Sequence, residues 1–188
     1  MIGMNKNIKS SSKGFTLIEI IIVILTIAVF GSITTTMLAN ATKVYSSSIK
    51  KQGLINEARS TFFKIIREAS WQKSFSSFAG SNNKKLVIKP ADGNSISYEI
   101  RQTNDIIQNN DQITGNNNKI ITNKVEYSNS SIVYKNSSGN TINIENDITQ
   151  IKSLELTLKF NKDGQDILFQ GKVIPYNLRI GRAMSYHE

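Results

Sequence analysis

The stretch that decides the fold is residues 15–39, which read FTLIEIIIVILTIAVFGSITTTMLA. Its one charged side chain is Glu19. A helix rises about 1.5 Å per residue, so this stretch is long enough to cross a hydrocarbon core of about 30 Å. Lysines precede it and little charge follows before Lys43, which favours a cytoplasmic N-terminus and an exported remainder. The sequence therefore predicts a transmembrane helix over residues 15–40.

The polar stretch that follows, residues 41–73, keeps a helical period. Apolar side chains recur at intervals of three and four residues, at Ile55, Ala58, Phe62, Ile65 or Ile66, and Ala69. No proline occurs before Pro90, so nothing forces the helix to end before about Trp71. We expect one helix of about 55 residues, about 80 Å long. Its apolar stripe is interpreted as core packed under a sheet and capped by Trp71, with a subunit contact as the alternative.

After Ser74 the sequence becomes rich in asparagine, with short β-type runs between the asparagines. These runs are residues 86–89, 95–101, 119–125, 131–134 and 141–144. Residues 154–160 alternate apolar and polar side chains, which predicts a strand with one buried face. Asp163-Gly164 is typical of a turn and predicts a hairpin with residues 167–179. The predicted fold class is α+β, with the second half of the helix packed on an antiparallel β-rich head of residues 74–188.

The positive charge is concentrated near the N-terminus. Formal net charge is +9, from 23 Lys and Arg against 14 Asp and Glu. Residues 1–14 contain Lys6, Lys9 and Lys13 and no acid, and residues 43–73 contain seven bases and two acids. We interpret the second group as a solvated helix face or a filament-packing surface. DNA contact is the alternative, but the run lacks regularly interleaved aromatics, and a globally basic nucleic-acid binder would have a more even excess.

Composition excludes several kinds of chemistry. The chain has no cysteine and one histidine, His187, so disulfides, zinc fingers and thiol catalysis are excluded. No phosphate loop or recognisable catalytic set of residues is present, so we expect neither an enzyme, nor a cofactor, nor a metal site. Residues 161–166 faintly resemble a calcium loop, but Lys172 occupies the position that requires a glutamate. A turn is the preferred interpretation there.

Glu19 is the unusual residue of the apolar stretch. A carboxylate at this depth costs about 2–3 kcal/mol on insertion scales, unless it reaches the interface from near the helix end. The chain provides no cation nearby within the bilayer, so we expect the partner of Glu19 to come from another molecule. A cut after Gly14 would give Phe15 a new amino group in the same zone. The amine of a neighbouring subunit could then pair with Glu19, and the membrane penalty would favour assembly.

The segment Lys13-Gly14-Phe15-Thr16-Leu17-Ile18-Glu19, with its basic leader and long apolar helix, resembles the class III signal of type IV pilins and pseudopilins. The resemblance is strong over residues 1–40 and only architectural beyond about residue 75. It implies that a prepilin peptidase removes residues 1–14 and methylates the new N-terminus, Phe15. Glu19 is then the assembly glutamate, while Lys6, Lys9 and Lys13 hold the leader in the cytoplasm.

The resemblance also implies partners and a location. The partners are other pilins or pseudopilins in a helical filament, the prepilin peptidase and an inner-membrane assembly platform. The chain is expected in the bacterial inner membrane as a single-pass protein, and in a surface or periplasmic filament after assembly. It lacks the helix proline and the C-terminal disulfide that major pilins often have, so a minor pilin or pseudopilin, PilW-like or J-type, is favoured. The machine could be a pilus, a type II secretion system or a DNA-uptake system.

Two alternatives remain open. Ala39-Asn40-Ala41 fits the small-x-small pattern of signal peptidase, so the apolar run could be a secretory signal, or else a simple anchor. The length of the run and the glutamate near its start favour pilin-like processing. The second alternative is an anchored or secreted binding module, an adhesin or DNA-binding head, that does not polymerise.

Overall fold

A computed structural model describes residues 14–90, 94–110 and 118–179. The chain divides into two compact units, the first ending at Ile49 and the second beginning at Lys50. The predicted leader lysines Lys6, Lys9 and Lys13 lie outside the described residues, as does His187.

One long helix is followed by short strands. The elements are α1 (Leu17–Ser70), β1 (Lys85–Ile88), β2 (Ile96–Ile100), β3 (Ile106–Asn110), β4 (Lys119–Thr122), β5 (Ser131–Lys135), α2 (Ile144–Asp147), β6 (Ser153–Lys162), β7 (Gln165–Val173) and α3 (Tyr176–Arg179). The α1 helix has 54 residues, which confirms the prediction of a single uninterrupted helix. The fold class is α+β, as predicted.

The part of α1 in the first unit exposes its apolar side chains, and Ile24 is 63% exposed. The hydroxyl groups of Thr26, Thr34 and Thr42 donate to backbone carbonyls four residues earlier, at 3.0, 2.8 and 2.8 Å. These bonds satisfy the threonine hydroxyls within the helix itself. Among the described residues, α1 is the one helix long and apolar enough to cross a membrane.

The part of α1 in the second unit buries a stripe of side chains against the strands. The buried residues are Leu54, Ala58, Thr61, Phe62, Ile65 and Ala69. Leu54 belongs to the stripe, whereas the predicted Ile55 is only half-buried, because its position on the helix falls at the edge of the buried face. The prediction that Trp71 caps the core is wrong, since its side chain is 62% exposed. Trp71 lies two residues after Ala69, which turns it toward another face.

The described strands form two antiparallel sheets. The first has four strands in the order β1-β2-β3-β4, and the second has three in the order β5-β6-β7. β6 and β7 form the predicted hairpin. Its turn residues Asp163 and Gly164 have φ values of 52° and 76°, the positive values that a tight hairpin turn requires. The hairpin is therefore confirmed, but the predicted segment 167–179 is a strand only as far as Val173, and its end forms α3.

Two strand assignments differ from the sequence prediction. Residues 141–144 are not a strand, because Asn143 caps α2 by accepting a hydrogen bond from the Glu145 amide at 3.1 Å. Thr141 alone keeps an isolated bridge, to Lys135. The strand β3 was not predicted, since its polar half, Gln108-Asn109-Asn110, has no apolar alternation. Pairing with β2 on one side and β4 on the other holds β3 in place.

The core lies between the stripe of α1 and the strands. Leu154, Leu156, Leu158 and Phe160 of β6 are buried, which confirms the alternation read from the sequence. The ring of Phe62 lies 5.4 Å from that of Phe169 on β7, centroid to centroid. A Cβ on Gly171 would lie 2.8 Å from Cζ of Phe62. The absence of a side chain at Gly171 therefore permits the close approach of helix and sheet.

Polar contacts also connect α1 to the strands. Glu57 accepts a hydrogen bond from the Thr122 hydroxyl at 2.7 Å and pairs with Lys124. Burial raises the pKa of Glu57, but the hydrogen bonds from Lys124 and Thr122 outweigh it and leave the pKa below its ordinary value. Glu68 accepts a hydrogen bond from the hydroxyl of buried Tyr98 at 2.5 Å. Both acids of this part of α1 thus face the strands.

Candidate functional site

The junction between Gly14 and Phe15 lies just before α1. Both residues are exposed, and Phe15 is 82% exposed. A Cβ on Gly14 would have no heavy atom within 4 Å. The helix begins at Leu17, so this peptide bond lies in non-helical backbone. The structure therefore places the predicted cleavage bond in an open segment directly before the apolar helix.

Glu19 and Thr16 bond to each other across the first turn of α1. The Thr16 amide and hydroxyl both donate to Oε2 of Glu19, at 2.8 and 2.9 Å. The Glu19 amide in turn donates to the Thr16 hydroxyl oxygen at 3.3 Å. This reciprocal pattern is a capping box, in which a threonine and a glutamate three residues later satisfy each other's backbone amides.

The capping box adds a contact to the sequence interpretation, which predicts only that no cation of the same chain neutralises Glu19. Thr16 supplies two donors to the carboxylate. The Thr-x-x-Glu spacing could have predicted this contact. Amide and hydroxyl donors carry no charge, so they orient the carboxylate without neutralising it. The positive end of the helix dipole also favours an anion at this position. Glu19 is thus held in place and still available to a cation.

Cleavage after Gly14 would change the charge at this site. Phe15 would become the first residue, and its amino group would lie next to the capping residue Thr16. The cleavage bond, the cap and the carboxylate all fall within residues 14–19. A single short segment would therefore present one cation and one anion to neighbouring molecules.

The other candidate positions have structural explanations. Asp166, in the segment that resembles a calcium loop, pairs with Lys159 at 3.0 Å and accepts a hydrogen bond from Asn161. These contacts, with the turn at Asp163-Gly164, confirm the preferred interpretation of a turn. Within the described residues, no group of three or more His, Cys, Asp or Glu side chains is placed to hold a metal ion.

Comparisons of the chain with protein-family models, curated proteins and solved structures found no match. Its function is therefore inferred from the junction at residues 14–19 and from the two environments of α1.

Proposed function

We propose that this protein is a minor pilin or pseudopilin, a structural subunit of a type IV pilus or of a type II secretion or competence pseudopilus. One observation carries the proposal: the segment Gly14-Phe15-Thr16-Leu17-Ile18-Glu19 opens a 54-residue helix that exposes apolar side chains through its first part. Such a surface is unfavourable in water and favourable in a bilayer or in the core of a helical filament.

In this proposal the chain is processed before it assembles. Lys6, Lys9 and Lys13 keep the leader in the cytoplasm, and residues 15–40 hold the precursor in the inner membrane. Prepilin peptidase cleaves after Gly14, and the Phe15 amine is methylated. The exported β-rich unit then forms the outer surface of the subunit. No step requires a cofactor.

Glu19 drives assembly through its unneutralised charge. The Thr16 cap fixes the carboxylate near the helix end at 2.8 and 2.9 Å without removing its charge. The Phe15 amine of a neighbouring subunit would neutralise it, and the free energy cost of a carboxylate in the bilayer would fall. Pairing would also set the axial register of one subunit against the next.

Processing is tested by the intact mass and N-terminal peptide of protein purified from its native membrane. We expect a mature chain that begins at N-methyl-Phe15. The Gly14→Ser variant should retain the leader, and a mature product of unchanged size would contradict the assigned site. A start at Thr42 would identify signal peptidase instead, and an uncut chain would indicate a simple anchor.

The role of Glu19 is tested with two substitutions that separate its charge from its cap. Glu19→Ala removes both, whereas Glu19→Gln keeps a side chain that can complete the capping box. We expect both variants to be processed and both to be lost from filaments, as judged by immunoblots of sheared surface material. Normal incorporation of Glu19→Ala would refute the assembly role. If Glu19→Gln is incorporated normally while Glu19→Ala is lost, Glu19 contributes to assembly only by capping the helix.

Mechanical shearing of cells also distinguishes the proposed filament subunit from the main alternative, a binding module that does not polymerise. A filament subunit should appear in the sheared fraction together with other pilins. An adhesin or DNA-binding head on a plain membrane anchor would stay with the membranes. Retention of the processed wild-type chain in the membrane fraction, in cells that assemble filaments, would overturn the proposal.

A further inference from the structure

A groove of about 600 Å³ lies along the C-terminal part of α1, entirely within the second unit. Its lining includes Phe63, Lys64 and Arg67 from the end of α1, Trp71 directly after the helix, and Tyr176 from α3. The three aromatic side chains are 56%, 62% and 53% exposed for Phe63, Trp71 and Tyr176. Neither the processing step nor the pairing of Glu19 in the proposed function involves this aromatic groove, and a group of large exposed rings calls for an explanation because it is costly in water.

The aromatic groove is positively charged. Its lining contains Lys64 and Arg67 and no acidic residue. The two acids of this part of α1 point elsewhere, since Glu57 bonds to Thr122 and Glu68 bonds to Tyr98. Both acids of this part of α1 are therefore bound to the strands. Lys64 donates to Oε1 of Gln108 in β3 at 2.8 Å, a neutral partner that does not cancel its charge, and Arg67 is exposed in the groove.

The rings of the groove offer faces for stacking. Trp71 and Tyr176 meet edge to face, with centroids 6.0 Å apart and planes at 72°. More than half of each side chain stays exposed. Phe63 precedes Trp71 by two helical turns, a separation of about 12 Å along the axis. Rings thus flank the two bases on one face, and the sequence alone does not predict this arrangement because Tyr176 is remote in the chain.

We propose that the aromatic groove binds single-stranded nucleic acid. Lys64 and Arg67 contact phosphates, while Trp71, Tyr176 and Phe63 stack on bases. An acidic peptide would use the charges but not the ring faces. A second copy of the chain is disfavoured as the occupant, because each copy has a net charge of +9 and would approach a positive groove. The inference stands on the second unit and does not depend on filament assembly.

Tryptophan fluorescence gives a direct test, because Trp71 is the one tryptophan of the chain. The full chain in nanodiscs of zwitterionic lipid is titrated with the oligonucleotide (dT)12. We expect quenching of Trp71 by stacked bases. Binding should weaken with salt, with a slope of log K against log salt of about −1.4 for two phosphates contacted in a single strand.

Variants are compared by the anisotropy of fluorescein-labelled (dT)12. Trp71→Ala should weaken binding roughly tenfold or more, since a stacked base contributes that much. Lys64→Gln combined with Arg67→Gln should weaken it and bring the salt slope close to zero. Tyr45→Ala and Lys172→Gln are the matched controls, because they remove an exposed ring and an exposed base outside the groove. Both controls should bind like the wild type, and circular dichroism checks that every variant is folded.

Each contrary outcome overturns the proposal. Failure of (dT)12 to bind, or equal binding by Trp71→Ala, would exclude stacking in the groove. Equal affinity for inorganic polyphosphate or for a duplex would show a general anion surface. Self-association measured by analytical ultracentrifugation without oligonucleotide, if Trp71→Ala abolishes it, would identify a second copy as the occupant.

Discussion

The two parts of α1 have the same backbone but different surroundings. Residues 17–49 expose their side chains on every face, and residues 50–70 bury one stripe against the strands. Residues 20–39 of the first part are apolar on most sides, so no face is clearly distinguished from the others. The second part has an apolar period and two acids that bond to the strands. Lys64 is half-buried and bonds to Gln108, whereas Arg67 is exposed. The first part of the helix is therefore suited to a uniform apolar environment. The second part is suited to the particular strands that pack against it.

The comparison predicts that substitutions in the two parts affect stability very differently. Phe62→Ala should lower the free energy of unfolding of the second unit by about 3–5 kcal/mol, because a buried ring is lost from the core. Urea unfolding in detergent micelles, followed by circular dichroism, measures the change. Ile24→Ala is the control in the first part; Ile24 is exposed, so its truncation should change the free energy of unfolding by less than about 0.5 kcal/mol. A large effect of Ile24→Ala would show that the exposed first part also stabilises the second unit.

The close approach of helix and sheet gives the next largest effect. Gly171→Ala should cost about 1–3 kcal/mol, since the new methyl group would meet the buried Phe62 ring at 2.8 Å. The same urea titration measures it. Combining Gly171→Ala with Phe62→Leu should recover part of the loss, because the smaller side chain gives room. Additive losses in the double variant would show that the two residues do not share this contact.

Acid should weaken the polar attachment of α1. Because the folded pKa of Glu57 lies below its unfolded value, its contribution is complete above about pH 4.3 and is lost as pH falls through the folded pKa. Glu57→Gln should therefore cost about 1 kcal/mol at pH 7 and less at pH 3. Urea midpoints at the two pH values measure this. The matched control is Glu145→Gln, at an exposed position of α2, which should be neutral at both. A cost that does not change with pH would exclude the ion pair with Lys124 as its cause.

The smallest effect is a stabilisation. Gly53 lies in α1, and an added Cβ would meet no atom within 4 Å. Gly53→Ala should raise the free energy of unfolding of the second unit by about 0.5–1 kcal/mol, because alanine loses less backbone entropy on entering a helix. Gly31→Ala should leave this free energy unchanged, since Gly31 belongs to the first unit. Thermal unfolding of the two variants measures both changes in the free energy of unfolding. A gain from Gly31→Ala equal to that from Gly53→Ala would show that the two parts unfold together.

The sequence correctly predicted the features that depend on residues close to one another in the chain. The extent of α1 followed from an apolar run without proline, the strand β6 from its alternation, and the hairpin from Asp163-Gly164. Residues 14–19 indicated the candidate site, although the cap formed by Thr16 was missed. These features are local, because helix and strand periods and tight turns are set by residues only a few positions apart.

Tertiary structure decided the features that join distant residues. It placed Leu54 and not Ile55 in the core, added β3 between two strands, and brought Tyr176 beside Trp71. It also turned Glu57 and Glu68 toward Thr122 and Tyr98, which left a positive aromatic groove on the other face. The amino-acid sequence fixes which faces of an element are apolar or charged. Which residue meets each face depends on how helix and sheets pack, and no period within one segment contains that information.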